Sequence, residues 1–350
     1  MRGALWFSLG LGLVACGDGG GAKTDAGQDG TLVDASPDAD PLRPLTLDGT
    51  GLCTNPGCTT FSPDVFEYEP KFELWADTAA KRRWIYLPPG TQIDTSDMDY
   101  WKFPVGTKLW KEFTRDGIRV ETRYIVKTMP NDLEFGAWHY VSYQWNTAQN
   151  ETTLVDVGGA VNANGTMHDI PSRQNCRDCH EELRAKVLGF GAISLDGSST
   201  KLDLEDLITQ GKLSAPPAGG APGARFAIPG GATVVNAIGY MHANCGHCHN
   251  PTANNFNHTP TDMRLRVGAL ATVGATPPYM TLVDKVSSLG YVHDDGTSYT
   301  QLVDGSNANN SILIKRMTST NAMKHMPNKG SEMVDAAGMG ALSTWINALP

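Results

Sequence analysis

No Lys/Arg-rich block interrupts the 350 residues, and the formal net charge is −9. Nucleic acid is therefore excluded as an expected partner class. The apolar run from Ala4 to Val14 is too short to cross a bilayer, which takes about 20 residues. No acid–base pair or nucleophile motif stands out, so nothing points to hydrolytic chemistry. What is present is a 40% hydrophobic composition over a length sufficient for roughly two domains.

The N-terminus reads as a targeting signal. Arg2 supplies a positive charge ahead of the apolar run, which ends in Leu13-Val14-Ala15-Cys16. That ending resembles a bacterial lipobox. The resemblance implies a signal peptide over 1–15, cleavage before Cys16 and acylation of Cys16, with several acyl chains anchoring the product to a membrane. Residues 16–45 are rich in Gly, Asp and Ala, too poor in large apolar side chains to offset the entropy of ordering, and read as a disordered linker. The expected location is outside the cytoplasm, in the periplasm or cell envelope.

Seven cysteines partition without remainder. Cys16 suits the lipid. Cys53 and Cys58, within LCTNPGC, suit a small local disulfide, as an oxidising compartment allows. The other four fall in two CxxCH pentapeptides, Cys176-Arg177-Asp178-Cys179-His180 and Cys245-Gly246-His247-Cys248-His249. CxxCH is the haem-attachment signature. Two thiols must reach two vinyl groups on one side of a porphyrin, and the following His then reaches the iron. The expected cofactors are two covalently bound c-type haems. Two other readings compete. CGHC is also a dithiol redox motif, but that leaves His249 without a role. Two CxxC pairs could clamp zinc, but the pairs begin 69 positions apart, long for a zinc ribbon.

Residues 46–165 read as a β-rich, sandwich-like domain. Thr107 to Thr114 and Ile118 to Lys127 flank Asp116-Gly117, a hairpin signal. In the second run Val120, Thr122, Tyr124 and Val126 alternate with Arg119, Glu121, Arg123 and Ile125, the pattern of a half-buried strand. Arg83 to Leu87, Trp138 to Trp145 and Thr152 to Val157 are further strand candidates. Trp75, Trp84, Trp101, Trp110, Trp138 and Trp145 are assigned to packing rather than to a carbohydrate platform. From Ser172 the pattern becomes helical, with helices expected at Glu181 to Leu188, Leu202 to Gln210, Ala232 to Ala243, Ser311 to Met317 and about Asp335 to Leu349. The expected whole is a multidomain α+β chain, with mainly α-helical haem regions over 166–230 and 231–350.

The last third resembles a class I cytochrome c domain. A helix leads into CGHCH, and Met326-Pro327 stands before the terminal helix. The resemblance implies Cys245 and Cys248 as thioether anchors, His249 as proximal ligand and Met326 as distal ligand. An insertion around Phe256 to Asp304 is implied too. His325 is the neighbouring alternative to Met326. More widely, KRRWIYLPPG, FPVGT and VETRYIV resemble segments of secreted bacterial di-haem c-type cytochromes with a β-rich N-terminal part. For the first haem, Cys176 and Cys179 are the expected anchors and His180 the proximal ligand. Its distal ligand is not readable. Met241, Met167, His168 and the Met129-Pro130-Asn131 repeat are individually better explained as structural. His242, expected on a helix between the haems, is the candidate taken, with a five-coordinate site as the alternative. The implied role is single-electron transfer with redox-protein donors and acceptors. The rivals are a di-haem peroxidase and a β-domain binding module with structural haems.

Overall fold

Six strands follow one another as an antiparallel meander: β1 (Phe66–Tyr68), β2 (Ala80–Tyr86), β3 (Lys108–Arg115), β4 (Ile118–Lys127), β5 (Trp138–Trp145) and β6 (Thr152–Leu154). They belong to a computed structural model that describes residues 42–350 except 182, 183, 185, 199, 254, 255 and 257–259. The signal peptide, Cys16 and nearly all of the linker lie outside the described residues. Asp116 and Gly117 join β3 to β4, both with positive φ (51° and 80°), as a tight two-residue hairpin turn requires.

Alternate side chains of the sheet enter two different cores. Trp84, Trp110, Tyr124, Tyr143 and Trp145 pack against a preceding loop carrying Leu47, Leu52 and the Cys53–Cys58 disulfide. Ile85, Leu109, Trp138 and Tyr140 face the other way, against Val187, Phe190, Leu204 and Leu207. The expectation of a sandwich is therefore corrected: there is one six-stranded sheet, covered on both faces by loops and short helices. The alternation in β4 carries a related correction. Its polar side is not an open solvent face, since Glu121 is fully buried and Arg119 and Arg123 are half-buried.

The expectation of mainly α-helical haem domains is likewise overturned, because the fold is rich in antiparallel sheet and its helices are short. They are α1 (Arg173–His180), α2 (Ala192–Leu195), α3 (Leu204–Thr209), α4 (Ala232–Asn244), α5 (Pro277–Leu282), α6 (Ile312–Thr318) and α7 (Ala336–Asn347). Among the described residues the longest has 13 residues. A further hairpin, β7 (Val286–Val292) and β8 (Ser298–Gln301), stands in the expected insertion. Gly and Pro, 38 and 21 in the sequence, limit helix length because one raises the entropy of ordering and the other removes a backbone donor. The helix expected at Glu181 to Leu188 falls partly outside the described residues, and those described there are not helical; a helix precedes them. α1 starts at the Ser172 cap, whose Oγ accepts from the Asn175 amide, and ends on His180. Among the described residues, Val187 serves the sheet core from a loop.

The described residues belong to a single compact unit. In it α4 packs on α7 through Ala237, Ile238 and Met241 against Leu342, Trp345 and Ile346. The approach depends on Gly338, because a Cβ there would run into the Tyr240 ring. Gly338→Ala is expected to destabilise the protein by about 1–3 kcal/mol through overpacking, read from the urea midpoint.

Candidate cofactor cavity

α1 places Cys176 and Cys179 three residues apart, hence on one helical face, with His180 at its end. All three line a cavity of about 880 Å³, within the range of small-molecule and cofactor sites. The four CxxCH cysteines are outside any disulfide. Burial pushes the Cys176 thiol up to about 11 and the Cys245 thiol up to about 12. Reactive dithiol sites instead depress a thiol pKa, so these are neutral thiols without the character of a disulfide exchanger.

The imidazoles of both motifs are oriented through one nitrogen. His180 Nδ1 lies 2.6 Å from the Lys186 carbonyl oxygen, to which its N–H donates. This leaves the Nε2 lone pair free, the usual second contact of a metal-binding histidine. His249 Nδ1 is 2.7 Å from the Thr261 hydroxyl. Burial lowers both rings to about 4, with the Arg316 charge adding to the effect at His249, so both are neutral at pH 7.

The sheet supplies a wall of unusual charge. Arg83, Lys111 and Arg123 stand directly opposite one another on β2, β3 and β4, and all three line the cavity. Like charges in register repel. Arg83 is paired with Glu73 at 2.7 Å and Arg123 with Glu121 at 2.8 Å. Lys111 stands between them. Burial, then the charges of Arg83 and Arg123, push its amine well below the ordinary lysine value. Such a row suits an anionic ligand that reaches Lys111. Glu121 is itself held down to about 2. Burial opposes its charge, but Arg123 and His168 outweigh burial.

The remaining expected ligands are distributed as follows. His242 lines the cavity, but its Nδ1 accepts from the Leu265 amide at 3.1 Å. The ring proton is then on Nε2, so His242 offers a donor rather than a lone pair. Burial, together with the Arg264 charge, lowers it to about 3. His168 is engaged by Glu121 at 2.9 Å. Met241 is core, Met167 is exposed, and Met129 packs beside the sheet core. The Met326 amide donates to the Arg316 carbonyl, and the charge on Arg316 reaches His249. His325 and Pro327 line the first cavity, whereas Met326 does not. Lys329 forms an ion pair with Asp178, tying the segment after Met326 to the first motif.

Two features went unread in the sequence: the cation row and His247. The row was signalled by KRRW and VETRY, which carry Arg83 and Arg123. His247 was signalled only by its place inside CGHCH. Among the described residues no group of three or more His, Cys, Asp or Glu side chains is arranged to hold a bare metal ion. No known protein family, curated protein or solved structure matches the chain.

Proposed function

We propose that this chain is an exported, lipid-anchored di-haem c-type cytochrome that passes single electrons between redox proteins. The observation that carries the reading is the first cavity, where Cys176, Cys179 and His180 share one space with the Arg83–Lys111–Arg123 row. Those groups fit haem in kind: two thiols outside any disulfide for thioether bonds, a neutral imidazole for iron, and cations for propionate carboxylates. The cofactor would supply reversible one-electron chemistry at iron.

The chain's own residues do the rest. His180, fixed by the Lys186 carbonyl, presents Nε2. Lys111 would receive a carboxylate, since the flanking arginines have their own partners. Trp101, Leu109 and Ile125 line the cavity with apolar surface that excludes water. In the second site Cys245 and Cys248 would be the anchors, and His249 and Met326 would hold the iron. A Met sulfur raises the potential relative to a second imidazole.

Lys111→Met is expected to lower the potential of one haem and leave the other in place. Removing a buried cation disfavours the added electron by on the order of 1–2 kcal/mol at an effective dielectric of ~20. A redox titration of the variant against wild type reads this directly. The electron-transfer role is tested by mixing the reduced protein with a one-electron acceptor and, separately, with peroxide. Rapid oxidation by the acceptor with no peroxide turnover is expected. Catalytic peroxide consumption would replace the reading with the peroxidase.

A further inference from the structure

His247 sits inside the second attachment motif, yet its ring lines the cavity of the first. None of Cys245, Cys248 and His249 lines that cavity. His247 is only 9% exposed, and its Nδ1 is buried without a hydrogen-bond partner. The edge of the ring that can meet the cavity is therefore the Nε2 edge. His180 and His249 both lie within electrostatic reach of the ring.

The backbone under His247 is held from two sides. Asn250 Nδ2 donates to the His247 and Gly246 carbonyls, each at 3.1 Å. A Cβ on Gly246 would stand 2.9 Å from Arg264 Cα and from the His242 carbonyl oxygen, so the motif backbone is pressed against that wall. A side chain projected from such a backbone has little freedom of position, which is what an axial ligand needs.

The other histidines of the cavity are engaged or turned away from it. The Leu265 amide occupies Nδ1 of His242 and puts its proton on Nε2. Glu121 engages His168. His325 spends Nδ1 on the Ser319 carbonyl at 2.9 Å, and its Nε2 is sealed in protein rather than open to the cavity.

We infer that His247 is the distal ligand of the first haem, partnered with His180, so that Cys245–His249 both holds the second haem and completes the coordination of the first. The inference rests on the di-haem reading above. It joins the two iron sites through the two-residue step from His247 to His249. It also separates their potentials, because a bis-imidazole haem lies below a His/Met haem. An electron on the first haem would then run downhill to the second, and neither iron would keep an open position.

The test uses His247→Ala in the full chain, matured in a host that attaches haem. Haem is counted against protein before spin state is read. Two haems with half of the total converted from low to high spin, restored to low spin by added imidazole, is the expected result. The near-infrared Met–iron band should persist. Two haems that stay fully low-spin would overturn the assignment, and so would a high-spin conversion produced by His325→Ala instead. A wild-type chain without haem would sink the underlying reading rather than this ligand. Should His247→Ala fail to mature, near-infrared magnetic circular dichroism of the wild type decides. One bis-imidazole and one His/Met signal support the assignment; two His/Met signals, or one high-spin haem, refute it.

Discussion

Replacing Cys176 and Cys179 together by alanine is expected to leave one covalent haem on the chain, half the wild-type content, with the Met–iron band of the other site intact. Both thiols line one cavity and neither is part of a disulfide. The loss should therefore be confined to one cofactor rather than reflect a broken cross-link. Haem content by pyridine haemochrome and intact mass checks it. The reciprocal pair, Cys245→Ala with Cys248→Ala, should remove the Met–iron band and retain the other haem. A chain that loses both haems with either pair, yet stays folded by circular dichroism, would contradict two independent attachment sites.

The second large effect concerns stability. Glu121 is fully buried and accepts from Arg123 at 2.8 and 2.9 Å and from Ser142 at 2.9 Å, with the His168 ring also at 2.9 Å. Glu121→Gln removes the charge and leaves Arg123 unpaired beside Lys111. A broken buried pair of this kind costs about 3–5 kcal/mol, which should appear as a lower urea midpoint at pH 7. The pH dependence has a definite sign. The carboxyl is held down to about 2 in the folded protein, against 4.5 ordinarily. Its stabilisation is therefore complete above the ordinary value and is lost as pH falls through that value towards about 2. Glu121→Gln should abolish this part of the acid slope.

Much of the sheet was legible because its signals are local. Asp116-Gly117 can adopt the two positive φ angles of a hairpin, and Trp138 to Trp145 forms a strand with the bounds expected of it. What alternation cannot reveal is the destination of the polar face. Arg123 and Glu121 would alternate identically whether that face met water or a cavity. The cation row was invisible for the same reason. It exists only after strand register brings Arg83, Lys111 and Arg123 side by side. The second sheet of the expected sandwich never forms, because short helices and loops cover both faces instead.

The helical half shows the opposite balance. α4, α6 and α7 lie close to their expected places, where apolar spacing and stop signals agree. The segment after His180 does not, since Val187 is claimed by the sheet core from a loop. The two CxxCH motifs are plain in the sequence. The convergence of one motif's His247 on the other motif's cavity is not, because it depends on packing between segments some 70 positions apart.

Intact-mass spectrometry of the mature protein, made in a host competent for covalent haem attachment, bears most directly on the central claim. A chain heavier than its polypeptide by two haem groups, with a Soret band that survives organic extraction, is the predicted result. A chain weighing only its amino acids and any lipid, with no Soret absorption, would contradict it.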